Sequence, residues 1–189
     1  MINRKLVGVE RAAADLRRGG MVIIEEGDAS MLVTAAELIT ESRLTQLKDL
    51  TQSDPLVGLT YNRANVLKIS PRSGDVALVE LSEHVNCGVI ASMADPADDL
   101  INMMQGPFQV SKTPPNSLHE AGIKLCKIAK LLPAAVYSGP LDNAARVAKD
   151  HQLIIANVDD ILQHSLNDAS SLEIVTSAKV PLALSLIHI

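Results

Sequence analysis

The stretch "MVIIEEGDASMLVTAAELIT", residues 21–40, decides how the rest of the chain is read. Two apolar runs flank a short acidic turn, Glu25-Glu26-Gly27-Asp28. A short continuous apolar run bounded by turn residues reads as a strand buried on both faces. Residues 21–24 and 31–35 are therefore expected to be two strands joined by the acidic turn. Carboxylates at the end of a buried strand are a common place for metal or proton chemistry in an α/β protein. Whether this turn carries any depends on what the rest of the chain brings to it.

Upstream, residues 9–18 place apolar side chains at helical spacing, and Gly19-Gly20 stops that helix. Downstream, Thr40 can cap a helix over 41–50 that keeps Leu44, Leu47 and Leu50 on one face. "DPLVGLT" reads as a strand, "NRANVLKI" as a short helix, and "DVALVEL" and "NCGVIASM" as two further strands. Residues 95–104 read as a helix, "QGPFQVSKTPPNS" as irregular, and 118–132 as an amphipathic helix. "LPAAVYSG" is a strand, 142–150 a helix, "QLIIAN" a strand and 158–164 a last helical turn or two. Strands alternating with helices imply an α/β domain whose sheet is covered by helices. "NDASSLE", 167–173, reads as a linker, and "IVTSAKVPLALSLIHI" after it is strand-like and ends on apolar residues, as a piece of a longer protein would. The expected organisation is one domain over 1–166, then a linker and the start of a truncated region over 167–189.

The bulk numbers exclude several classes. A chain of 189 residues suggests one domain, or one with a tail, and buries roughly 70 % of its unfolded surface without needing staples. Hydrophobic residues make up 47 % but are spread out, and no uncharged run reaches the roughly 20 residues of a membrane span. The N-terminus lacks the continuous apolar core of a secretory signal. Cys87 and Cys126 are isolated, forming neither a CxxC zinc site nor a secreted disulfide framework, which fits buried thiols in a reducing cytoplasm. A net charge of −5 and 2 % aromatics offer neither the basic stripe nor the stacking rings of a nucleic-acid binder.

The possible sites are sparse. Glu25, Glu26 and Asp28 could ligate Mg²⁺, which prefers carboxylates and water, or simply form a solvated hairpin. His119-Glu120 opens the helix over 118–132, where a histidine and a carboxylate could bind a metal or an anion. The plainer alternative is an exposed first turn, where the helix dipole favours Glu. His84 and His151 stand alone and read as structural. "SGPL", from Ser138, is a glycine turn too short for a nucleotide-binding fingerprint, and the chain has no P-loop or G-x-S-x-G.

Taken together, the pieces resemble a known family. "LRRGGMVII", an acidic turn and "LVTAAELIT" are similar to the opening of 3,4-dihydroxy-2-butanone-4-phosphate synthase, the magnesium enzyme of riboflavin biosynthesis that converts ribulose 5-phosphate into a four-carbon phosphate and formate. "NCGVIAS" looks like the family's T-T-G-V-S-A segment. "LHEAGIKLCKIAKLLPAAV" lines up without a gap on H-T-E-A…K-P-A-G-V, and "AKDHQLIIANVDDIL" resembles the closing strand and helix. The resemblance runs over 9–164 and implies a three-layer α/β/α sandwich of the synthase type.

The functional positions fare differently. The family's long D-D-E-D-R-E-N-E-G-D loop has shrunk, and its final E-G-D falls on Ala29, Ser30 and Met31. Its metal-binding histidine falls on Leu118, its phosphate-gripping threonine on His119 and the arginine upstream on Pro115. The Asp and Arg of G-V-S-A-x-D-R fall on Met93 and Ala94. The catalytic glutamate after P-A-G-V falls on Gly139, and the D-G-T-M-A loop beyond it is largely absent. Enolising ribulose 5-phosphate needs a placed base and an ion to hold the enediolate, and losing one acid or base typically costs about 10²–10⁴ in rate. The resemblance therefore implies a degenerate site without catalytic residues or a tightly held metal, whose vestiges are Glu25, Glu26, Asp28, Cys87, His119, Glu120 and Ser138. Glu26 and Asp28 are its weak metal candidates.

"AKVPL" looks like the entry to GTP cyclohydrolase II, the zinc enzyme often joined to this synthase. The expected role is a non-catalytic, homodimeric platform domain of such a cytoplasmic riboflavin-pathway protein, with no cofactor of its own. Two alternatives stand beside it. One is an Mg²⁺-dependent enzyme acting on ribulose 5-phosphate or a related sugar phosphate; the other is a metabolite-sensing module.

Overall fold

The computed structural model describes residues 4–70, 74–81, 85–100 and 108–164. The opening stretch forms a hairpin: β1 (Val22–Glu26) runs antiparallel to β2 (Ala29–Ala35), with Val22 opposite Val33 and Glu26 opposite Ala29. The connection is only Gly27-Asp28, and Gly27 has φ +59, a conformation that a glycine adopts without the usual Cβ penalty. β7 (Ile154–Asn157) lies parallel to the outer side of β1, and β6 (Ala134–Ser138) antiparallel to β2. β3 (Leu56–Thr60), β4 (Val76–Glu80) and β5 (Gln109–Val110) extend the sheet antiparallel from β6. Among the described residues the sheet has seven strands, in the order β5-β4-β3-β6-β2-β1-β7.

The strands are apolar throughout because both faces are covered. Successive side chains point to opposite faces. Val22, Ile24, Val33, Ala35, Ala135 and Tyr137 pack under α1 (Arg4–Arg17), α5 (Ser117–Ile128) and α7 (Val158–Leu162). Ile23, Leu32, Val57, Leu59, Ala134 and Val136 pack under α2 (Glu41–Thr51), α3 (Tyr61–Val66), α4 (Cys87–Ala94) and α6 (Ala144–His151). The result is a three-layer α/β/α sandwich, as expected from the sequence. Tyr137 shows how closely the layers meet. A Cβ on Gly58 of β3 or on Gly122 of α5 would come within 2.5 Å of its ring, so both glycines make room for it.

Three readings need correction. "NCGVIASM" is α4, a helix and not a strand. An apolar run of that length is ambiguous by period alone, and the deciding signal is Asn86, whose side chain accepts the Val89 N–H at 3.0 Å as an N-cap. Ile90, Met93 and Ala94 then fall on one buried helical face. The helix expected over 95–104 is, within the described residues, a 3₁₀ turn over Pro96–Leu100. Asp98 and Asp99 there sit in a first turn, with a proline at its start. The segment expected to be irregular contributes the edge strand β5 through Gln109 and Val110. His84, the linker over 167–173 and the apolar stretch after it lie outside the described residues. No helix among the described residues is long and apolar enough to cross a membrane.

Candidate functional site

The acidic turn sits at one end of the sheet, beside the start of α5. Glu25 and Glu26 are neighbours on a strand, so their side chains leave opposite faces. Ile23 belongs to the core under α2, and Ile24 to the core under α5. Glu26 follows Ile24 to the α5 side, where its carboxylate accepts the Ser117 hydroxyl. Glu25 is half-buried, and Asp28 is exposed at the turn. Glu25 and Glu26 therefore diverge.

His119 is 4 % exposed and serves as a helix cap. Its Nδ1 accepts the Asn116 N–H at 3.1 Å, while the Asn116 side chain accepts the His119 N–H, completing a capping box at the start of α5. The Tyr137 hydroxyl donates to the His119 carbonyl at 2.6 Å, and the two rings meet edge-on with centroids 5.0 Å apart. Burial pushes the imidazole down to about 4, so it is neutral near pH 7. Glu120 next to it is exposed.

Cys87 begins α4, and its N–H donates to Glu41 Oε1 at 3.1 Å. Burial, and then the Glu41 carboxylate, push its thiol up to about 11, the reverse of an activated nucleophile. Ser138 ends β6 and is buried; its hydroxyl lies 2.6 Å from Thr51 Oγ1 and 3.3 Å from Ser53 Oγ. The structure thus brings Glu26 and the first turn of α5 together, while Ser138 is committed to the end of α2 and Cys87 to Glu41. Among the described residues, no three His, Cys, Asp or Glu side chains gather where a metal could sit.

The positions to which the resemblance assigns chemistry are filled in another way. Leu118 is 3 % exposed, in the core under α5, and Met93 is fully buried in the opposite core. Gly139 packs on Met31 so closely that a Cβ there would stand 2.9 Å from the Met31 Cβ. Ser30 is joined to Leu141 by two hydrogen bonds, Oγ to the Leu141 carbonyl at 3.0 Å and the Leu141 N–H to the Ser30 carbonyl at 2.9 Å. Mg²⁺ needs several oxygen ligands at short range, and this donor set does not fit it.

Two features escaped the sequence reading. Arg63 is 8 % exposed and holds the end of α4. It donates to the carbonyls of Met93 at 2.7 Å, Ser92 at 3.0 Å and Asp95 at 3.1 Å, and pairs with both carboxylate oxygens of Asp99 at 2.6 and 2.7 Å. At the end of β3 away from Ser138 lies a groove of about 570 Å³, lined by Tyr61, Asp75, Glu120, Lys124, Lys127 and Leu162. It shares Thr60, Asn62 and Pro133 with an apolar hollow of about 300 Å³ that includes Val66, Ala94 and Leu132. Neither Arg63 nor the groove has a motif; both arise from residues distant in the chain.

No protein-family model matches the chain. A GTP cyclohydrolase-2 from Azospirillum brasilense is 30 % identical over 179 residues, covering 93 % of this chain but 46 % of that protein. The chain thus spans about half the length of the curated relative it matches. Three solved structures share its fold at lower identity. A 3,4-dihydroxy-2-butanone 4-phosphate synthase of Candida albicans superposes with a TM-score of 0.63 at 20 % identity, over 83 % of this chain and 96 % of that one. A two-domain synthase from A. baumannii gives 0.64 at 21 %, over 84 % of this chain and 57 % of that one. A synthase solved in complex with two magnesium ions gives 0.67 at 16 %, over 87 % and 99 %. The chain therefore has the 3,4-dihydroxy-2-butanone-4-phosphate synthase fold, and its sequence is related to part of a GTP cyclohydrolase-2.

Proposed function

We propose that this chain is a non-catalytic, synthase-like domain of a riboflavin-pathway protein of the GTP cyclohydrolase II type, serving as a dimerisation and folding platform. The carrying observation is the fate of the functional positions. Leu118 and Met93 are core residues, Met31 and Gly139 pack on each other, and no three His, Cys, Asp or Glu side chains gather among the described residues. Enolisation would lack both its base and its ion. Each loss alone is severe, about 10²–10⁴ for an acid or base and several kcal/mol for the ion, so their combination leaves no useful turnover even though such losses do not add.

The platform role draws support from the surface. Tyr61 and Val66 are 49 % and 61 % exposed, and both border the adjoining groove and hollow. Large apolar side chains exposed beside surface hollows are what an interface can bury. The test of the catalytic half of this reading is formate release from ribulose 5-phosphate with Mg²⁺ present. None above background is expected; turnover within about a hundredfold of the typical enzymatic ~10 s⁻¹ overturns it.

A further inference from the structure

We infer that the vacated synthase site has been rebuilt as a structural joint, in which Ser30, Met31, Gly139 and Leu141 fasten the β1–β2 hairpin to the chain leaving β6 and exclude any side chain at position 139. The inference rests on the reading above, that the site has lost its chemistry, and adds what replaced it. Regular pairing of β2 with β6 ends at Leu32 opposite Ser138. Beyond that point the two chains would be free to separate, as the walls of a substrate cavity must.

They do not separate. Ser30, 6 % exposed, uses both its hydroxyl and its carbonyl on Leu141, and Leu141 is itself 5 % exposed in the core beneath α2. Between these bonds Gly139 lies against Met31, with a built Cβ 2.9 Å from the Met31 Cβ and 3.2 Å from its Cα. Those contacts are with a backbone atom and the root of a side chain, so no rotamer change relieves them. From the other side, the Ser138 hydroxyl is held by Thr51 and Ser53 at the end of α2. Residues 138–141 are thus gripped by the hairpin on one flank and by α2 on the other.

The joint makes the loss of the site structural as well as chemical. Returning a glutamate to position 139 would have to break the packing before it could meet a ligand. Three measurements test this. First, Gly139→Ala should lower the melting temperature by roughly 3–10 °C, the usual range for overpacking in a domain of this size. Adding Met31→Gly should recover part of that loss. Second, Gly139→Glu should bind Mg²⁺ no better than the unaltered protein in calorimetry. Third, the Leu141 amide should be protected from hydrogen exchange in the unaltered protein, a readout that needs no variant to fold. A neutral Gly139→Ala, micromolar Mg²⁺ binding by Gly139→Glu, or an unprotected Leu141 amide would overturn the joint. None of these would bear on catalysis, whereas formate release by the unaltered protein would overturn the reading beneath it.

Discussion

His119 is the residue at which chemistry and structure part most clearly. As a sequence feature it is a histidine beside a carboxylate at a helix start, an apt place for an anion or a metal. In the fold it is buried, part of a capping box and set edge-on to Tyr137, with its imidazole pushed down to about 4. An unfolded histidine titrates near 6.5, so between pH 6.5 and 4 the unfolded chain binds a proton that the native state refuses. Stability is then fully present above pH 6.5 and is lost as pH falls through this window. The loss should be on the order of 2–3 kcal/mol by pH 4. Chemical denaturation of the wild type and His119→Asn at pH 7 and 4.5 isolates it, because the carboxylates titrate in both. A wild type-minus-variant difference that does not change with pH would mean that His119 is solvated. The wrong half of the sequence alternative was exposure, since a polar residue in a first turn carries no sign of the tyrosine that will cover it.

At the scale of elements, α4 and its clamp carry the lesson. Asn86 caps the helix locally, but eight apolar and small residues also describe a buried strand, and period alone does not separate the two. What holds the end of α4 is Arg63, thirty residues earlier in sequence than Met93. Its guanidinium satisfies three carbonyls there and forks onto Asp99, whose carboxyl the hydrogen bond holds below its usual range. Arg63→Met keeps the volume but strips those carbonyls of their donors. It should cost about 2–4 kcal/mol in urea denaturation, in line with the loss of several buried charged hydrogen bonds. A loss below about 0.5 kcal/mol, the level of an ordinary surface change, would show that water replaces the guanidinium freely.

For the whole molecule, the platform proposal makes a demand on association. A stable homodimer should bury roughly 2,000 Å² or more in total with an apolar centre, and Tyr61 and Val66 are the large apolar side chains exposed among the described residues. Sedimentation should show a dimer that persists at low micromolar concentration and is insensitive to salt, because a net charge of −5 contributes little steering once screened. Val66→Glu should shift it toward monomer. A clean monomer of the unaltered chain would refute the platform and favour a metabolite-binding role for the groove beside α5.

The sequence by itself determined an α/β domain whose sheet is covered by helices, and through the resemblance it implied the three-layer sandwich. Apolar runs of strand length separated by helical periods oblige a sheet covered by helices, and the Thr40 cap marks where one covering helix begins. Through the resemblance, residue identity also implied that the acidic-loop aspartate, the metal-binding histidine and the catalytic glutamate of the family are replaced at positions 31, 118 and 139. Only the tertiary structure decided what those positions do now. That Ser30 would bond Leu141, that Gly139 would yield its space to Met31 and that Gly58 and Gly122 would yield theirs to Tyr137 depends on distances between chain segments. Local propensity and periodicity report on neighbours within a few residues, whereas the Ser30–Leu141 bond joins residues more than a hundred positions apart.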